Sequence, residues 1–229
     1  MTYRKAGQGG GRELMKATLR WAVCACLVAT GVTACDDGGA GTEEPDVLSA
    51  SQVCDGTLTS AGAAALERIG GKGGYTELEN SERWSLKSAA KGLQEAATSR
   101  YECDLYPEGD KSGHPLMTIG FIARKTHPDP VKAAKEKEHD QLFYPLGVYA
   151  SSTGYLATSL FFECPTKRAE GGTSYVKAEM YSAKNKMNAD STGKDRMTIL
   201  NDMSRALAEE LGCAARAELP AKVPDATSD

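Results

Sequence analysis

The run from Trp21 to Ala34 carries no charge and ends at Cys35. That boundary constrains the chain more than any other feature, because it sets the compartment in which everything after it must fold. The run is too short for a transmembrane helix, which needs about 20 apolar residues. It suits the hydrophobic region of a signal peptide, with Lys16 and Arg20 supplying the basic stretch before it. Val32-Thr33-Ala34-Cys35 has the form of a lipobox, where the signal is cut and the new N-terminal cysteine takes a lipid. An ordinary cut after an A-x-A-like site would leave Cys35 incidental, but the acidic, Gly-rich segment that follows at once reads as a tether behind a lipidated residue. The expectation is a signal at residues 1–34, lipidation at Cys35 (palmitate-type acyl chains) and attachment to the outer face of the cytoplasmic membrane. Two or more acyl chains hold a protein firmly where one does not. Residues 1–14 are Gly-rich and polar, so Met15 opens the signal more naturally than Met1. No twin-arginine pair precedes the apolar run, which points to the general secretory route.

Export changes the meaning of the cysteines. Of the seven, Cys24 and Cys26 leave with the signal and Cys35 is the lipid site. Cys54, Cys103, Cys164 and Cys213 remain, and an even set in an exported chain reads as two disulfides. A metal site is the alternative, but the sequence has no C-x-x-C and no histidine beside these cysteines. Cys54 just precedes a helical pattern and Cys103 faces inward on a strand. Cys164 shares the apolar face of its strand, and Cys213 lies in line with the buried stripe of the last helix. These positions favour 54 with 103 and 164 with 213, although four cysteines allow three connectivities and the sequence alone does not decide.

The signal holds five basic residues and one acidic, so its removal leaves the chain more acidic than the overall net charge of −4. An acidic exterior argues against nucleic acid, which needs basic patches. Residues 35–50 read as a flexible tether, residues 51–219 as a single folded domain, and 220–229 as a disordered tail. Leu58, Ala65, Leu66 and Ile69 fall on one helical face that ends at Gly70-Gly71. A second helix is expected over roughly 82–98, with Asn80 or Ser81 as N-cap and Leu86, Ala89, Ala90, Leu93 and Ala97 as its stripe. A third is expected over roughly 195–211, ending at Gly212. Between the second and third the period changes to two, giving five strands at 100–106, 115–125, 142–149, 154–164 and 174–182. Ser151-Ser152-Thr153-Gly154 reads as a hairpin turn, and Pro145 places its strand at an edge or a bulge. The long charged loop 126–140 allows a helical turn after Pro130. One-sided alternation with amphipathic helices to cover it predicts an α+β fold. It would be a single two-layer domain, an antiparallel sheet of about five strands packed against about three helices.

The chemistry-bearing signatures are missing. The sequence has no G-x-S-x-G elbow, P-loop, H-E-x-x-H or EF-hand loop. His114, His127 and His139 read as exposed loop residues. Gly70-Gly71-Lys72-Gly73-Gly74 follows a helix rather than opening one, so it lacks the helix N-terminus that binds phosphate. Glu163 and the pair Glu209-Glu210 read as solvated acids. No catalytic residue, metal ligand or cofactor is assigned. Phe143, Tyr144, Tyr149, Tyr155, Phe161 and Phe162 crowd one hairpin; they read as half core and half ordinary surface, with an exposed aromatic face for a ligand or protein partner as the sharper alternative.

Three segments carry a resemblance. They are Val53-Cys54-Asp55-Gly56-Thr57-Leu58 opening an Ala-rich helix, Phe162-Glu163-Cys164 ending a strand, and Ala208-Glu209-Glu210-Leu211-Gly212-Cys213 with Leu219-Pro220 after it. With the lipobox, they resemble a group of uncharacterised exported lipoproteins of actinobacteria. The resemblance implies one extracytoplasmic domain with structural cysteines and implies no activity. The expected role is therefore non-catalytic binding of a small molecule, an envelope component or an exported protein. An envelope-acting hydrolase and a purely structural or regulatory interaction domain are the alternatives.

Overall fold

The structure is a computed structural model and describes residues 46–77, 84–95, 99–136, 139–154, 157–166 and 171–227. In chain order the elements are α1 (Val53–Gly56), α2 (Ser60–Gly70), β1 (Tyr75–Glu77), α3 (Leu86–Glu95), β2 (Tyr101–Pro107), β3 (Met117–Arg124), α4 (Pro130–Lys135), β4 (Gln141–Phe143), β5 (Tyr149–Thr153), β6 (Ala157–Thr166), β7 (Thr173–Ser182), α5 (Gly193–Glu210) and α6 (Ala214–Ala217). The strands form one antiparallel sheet of order β1-β2-β3-β7-β6-β5-β4. Two meanders thus run inward from opposite edges, and β3 pairs with β7 along its full length, from Met117↔Ser182 to Arg124↔Tyr175.

The period of two explains the sheet's inner face. Cys103, Leu105, Ile119, Phe121, Leu160, Phe162, Val176, Ala178 and Met180 are all buried there. The helical stripes meet them: Leu66 and Ile69 from α2, Leu93 from α3, and Ile199, Leu200, Met203 and Leu207 from α5 belong to the same core. Each such side chain contributes about 1.5–3 kcal/mol by leaving water.

Two polar contacts fix α2 against α5. Thr59 caps α2, and its backbone N–H (3.0 Å) and hydroxyl both donate to Asp202 of α5. At the other end, Arg68 donates Nε (2.8 Å) and Nη2 (2.6 Å) to Asp195 Oδ1, while Asp195 Oδ2 completes a capping box with Thr192. The start of α2 therefore lies beside the middle of α5 and its end beside the start of α5, so the two run antiparallel. Gly62 is required at this crossing, since a Cβ there would lie 2.3 Å from Asp202 Oδ2.

The α+β, two-layer reading holds, with more elements than expected: seven strands and six helices among the described residues. β1 is three residues long, too short to show a period. The strand expected over 142–149 is broken. Pro145 has no N–H to give a ladder, Gly147 takes φ +57, and the chain makes a corner between β4 and β5. The turn expected at 151–154 starts only at Gly154 (φ +48), because Ser151–Thr153 pair with Ala157–Ser159 in the ladder. The second helix is described as Leu86–Glu95; its expected caps Asn80 and Ser81, like Ala97, lie outside the described residues.

Both expected domain boundaries move outward. The tether was expected to reach residue 50, yet Leu48 exchanges two backbone hydrogen bonds of 2.8 Å with Tyr75, and Ala50 is buried. The tail expected to be disordered from 220 is packed through Thr227. Val223 is buried, Asn201 Nδ2 donates to Pro220 O (2.8 Å), and Thr227 N donates to Phe143 O (2.9 Å). These terminal segments cover β1 at one edge of the sheet and β4 at the other, where bare strands would invite aggregation.

The four cysteines form two disulfides. Cys54–Cys103 joins α1 to β2 with Cα atoms 5.9 Å apart, and Cys164–Cys213 joins β6 to the end of α5 with 5.3 Å. Each spans 49 residues of sequence, for which the chain-entropy model gives about 4 kcal/mol. Disulfides of this kind belong to oxidising compartments. Among the described residues no helix is long and apolar enough to cross a membrane.

Urea unfolding of a Cys164→Ala/Cys213→Ala variant will show a loss of about 4 kcal/mol, and a loss below 1 kcal/mol would count against a structural role. Asp202→Ala will cost about 2–3 kcal/mol by the same measurement, because it strips the buried charged acceptor from the N–H and hydroxyl of Thr59 at the start of α2.

Candidate functional site

The corner between β4 and β5 opens a groove of about 430 Å³. One wall is the turn Tyr144–Val148, with Phe143 and Tyr149 at its two ends. Pro130 and Ala134 of α4 face it, and Thr227 closes one side. None of the lining residues carries a charged side chain. Short segments build it: Asp129 caps α4 by accepting from Val131 N (2.8 Å) and Lys132 N (3.1 Å), and Pro130 sits in the first turn, where its missing N–H costs nothing.

The turn is held from behind. Val148 N donates to Phe161 O (2.8 Å), and a Cβ on Gly147 would lie 2.4 Å from that same oxygen, so only glycine fits so close. Tyr144 is buried beneath the groove. Burial pushes its phenol above the ordinary value, with the nearby Arg196 charge opposing and Asp195 adding to the rise. Gly193 leaves the room Tyr144 needs, for a Cβ there would be 3.1 Å from its hydroxyl. Arg196, also buried, donates Nε to Thr158 Oγ1 (3.2 Å) and Nη2 to Ser152 Oγ (2.8 Å) and to Gly154 O. α5 thus grips the β5–β6 hairpin on which the groove stands.

The expected aromatic cluster divides between core and surface. Phe162 and Tyr144 are buried under the sheet, whereas half-buried Phe143 and Tyr149 form an edge-to-face ladder with buried Phe161 on the outer face, with centroids 6.1 and 5.8 Å apart. Tyr155 lies outside the described residues. Lys177 reaches over the Phe161 ring, 5.9 Å from its centroid. The outer face continues into a charge cluster. Arg100 pairs with Glu102 (2.8 Å) and Glu179 (2.9 Å) and lies 5.3 Å from the centroid of the Tyr181 ring. Gly120 makes room for it, since a Cβ would lie 2.8 Å from Arg100 Nε. Burial alone would raise the Glu179 carboxyl. The hydrogen bond and charge of Lys177, the charge of Arg100 and the Tyr181 hydroxyl outweigh it and hold the group below its ordinary value.

The remaining sequence candidates do not come together. His114 and His139 are exposed in separate loops, and His127 packs its ring on Tyr175 at 4.7 Å. Glu163, Glu209 and Glu210 are exposed. Cys54, Glu77 and Cys103 bring potential ligand atoms within 4.8 Å of one another, but the two sulfurs are bonded to each other and present no thiolate. Cys35 lies outside the described residues. The residues sequence reading missed are Leu146, Gly147, Val148, Ala134 and Thr227. Pro145 and Gly147 inside one supposed strand were the signal for a corner. Comparison with protein-family models, with curated proteins and with solved structures finds no match to this chain.

The Glu179 cluster generates a pH prediction. A carboxyl lowered by folding adds stability above its unfolded pKa, near 4.5, and that contribution is lost as pH falls through the folded value. Glu179→Gln will therefore cost about 2 kcal/mol in urea unfolding at pH 7 and much less below the ordinary glutamate range; an equal cost at both would contradict the assignment.

Proposed function

We propose that this chain is a non-catalytic binding domain, tethered through a lipid on Cys35 to the outer face of the cytoplasmic membrane, and that the β4–β5 corner groove is its recognition site. The groove carries the reading. Its volume lies within the range of about 300–1,000 Å³ usual for ligand sites. Its lining is aromatic and aliphatic, and its floor is fixed by Tyr144, Arg196 and the Gly147 contact. Such a site is made before the ligand arrives, which lowers the ordering cost of binding. The uncharged lining favours a largely apolar ligand group. The two disulfides and the resemblance to exported actinobacterial lipoproteins support an extracytoplasmic location, and the lipobox supports the anchor.

An apolar dye such as anilinonaphthalene sulfonate tests the groove. The chain will bind it saturably, and Tyr149→Ala and Leu146→Ala will each weaken binding about tenfold, roughly 1.4 kcal/mol. Absence of saturable binding, or binding indifferent to both changes, would remove the groove from consideration. The anchor is tested separately by labelling cells with radioactive palmitate: the wild type will incorporate label and Cys35→Ala will not. Label retained in Cys35→Ala would exclude that attachment point.

A further inference from the structure

The C-terminal segment changes character at Val223. Up to that residue it belongs to the core: Asn201 Nδ2 donates to Pro220 O (2.8 Å), and Val223 is buried. Beyond it, residues 224–227 cross the surface from the start of α5 to β4, and their holds are few. Asp225 and Thr227 are exposed, and Ala226 is only partly buried against the core. Asp225 pairs with Lys194. Lys194 stands in the first turn of α5, where the positive end of the helix disfavours a cation, so the carboxylate offsets an unfavourable charge. Thr227 donates both its N–H (2.9 Å) and its hydroxyl (3.4 Å) to one acceptor, Phe143 O. An exposed ion pair is weak and screened by salt, and the two bonds at Thr227 share a single oxygen. Thr227 and Phe143 both line the corner groove. The chain end is thus held least where it bounds the groove.

Resting on the groove as the recognition site, we propose that residues 224–227 are a releasable strap that regulates it. Latched by the Lys194–Asp225 pair, the strap closes one side of the groove at Thr227, and an apolar ligand binds fully only when it swings away beyond Val223. Release breaks only the ion pair, the Ala226 packing and the bonds to Phe143 O, because Pro220 and Val223 stay fixed in the core. The ligand's apparent affinity is then its intrinsic affinity scaled by the fraction of chains with the strap open. Raised ionic strength weakens the latch and so opens the site.

The test uses Nile red, an uncharged apolar dye, so that charge reversals on the surface do not act on the probe itself. The full-length chain will bind it saturably, and a chain ending at Pro224 will bind it about tenfold more tightly. Lys194→Asp and Asp225→Lys each turn the ion pair into a repulsion, and each will tighten binding about fivefold. The double reversal restores an attraction and will return the affinity to within about twofold of the wild type. Hydrogen exchange at the Thr227 amide will speed up in both single reversals and slow again in the double. Added salt will tighten dye binding to the full-length chain more than to the shortened one. Single reversals that leave the affinity unchanged, a double reversal that fails to restore it, or a shortened chain that binds no more tightly would each overturn the strap and leave the groove standing. Failure of every one of these chains to bind the dye removes the groove, and the strap with it.

Discussion

The pairing of β3 with β7 is the contact on which the rest of the structure depends. It joins strands separated by α4 and three other strands, and it converts two local meanders into one sheet. Each meander has its own disulfide. Cys54–Cys103 fastens α1 to the first, and Cys164–Cys213 fastens the end of α5 to the second. Helix α5 then packs on β5, β6 and β7 of the second, and is tied to α2 through Asp202 and Asp195 and to the β5–β6 hairpin through Arg196. Long-range pairing of this kind is slow to form. Cross-links that shrink the unfolded ensemble offset part of its entropy.

The same arrangement explains where a site can exist. The inner face of the sheet is filled by helices. The outer face around Glu179 is neutralised by Arg100 and Lys177, so neither presents an unmet chemical demand. At the corner the β4–β5 connection bends away through Pro145 and Gly147, and α4 leans against it without burying any of its own residues. The groove is a consequence of that geometry: the edge hairpin β4–β5 turns a corner, and α4 stands beside it.

Much of this was legible in the residues. The stripe of α5 with its Gly212 terminator, the alternation at Met117, Ile119 and Phe121, and the inward positions of Cys103 and Cys164 each follow from a short-range period. The groove was not legible, because it depends on contacts no period records. Gly147 must be glycine because its φ is +57 and the Phe161 carbonyl lies behind it. Tyr144 goes inward only because Gly193 leaves space. Thr227 reaches β4 only because Val223 and Pro220 pack first. The aromatic hairpin pointed to the region of the corner groove, but not to which rings stay outside. Leu48 and the 220–227 segment read as loose from composition, and their order comes from the sheet edges they cover.

The most direct measurement is the set of backbone amide chemical shifts of the chain, recorded before and after addition of an apolar dye. The account predicts that the shifts that move will cluster at Phe143–Ala150, with Ala134 and Thr227. Shifts clustered instead around Arg100, Glu179 and Tyr181 on the outer face would contradict the claim that this corner is the recognition site.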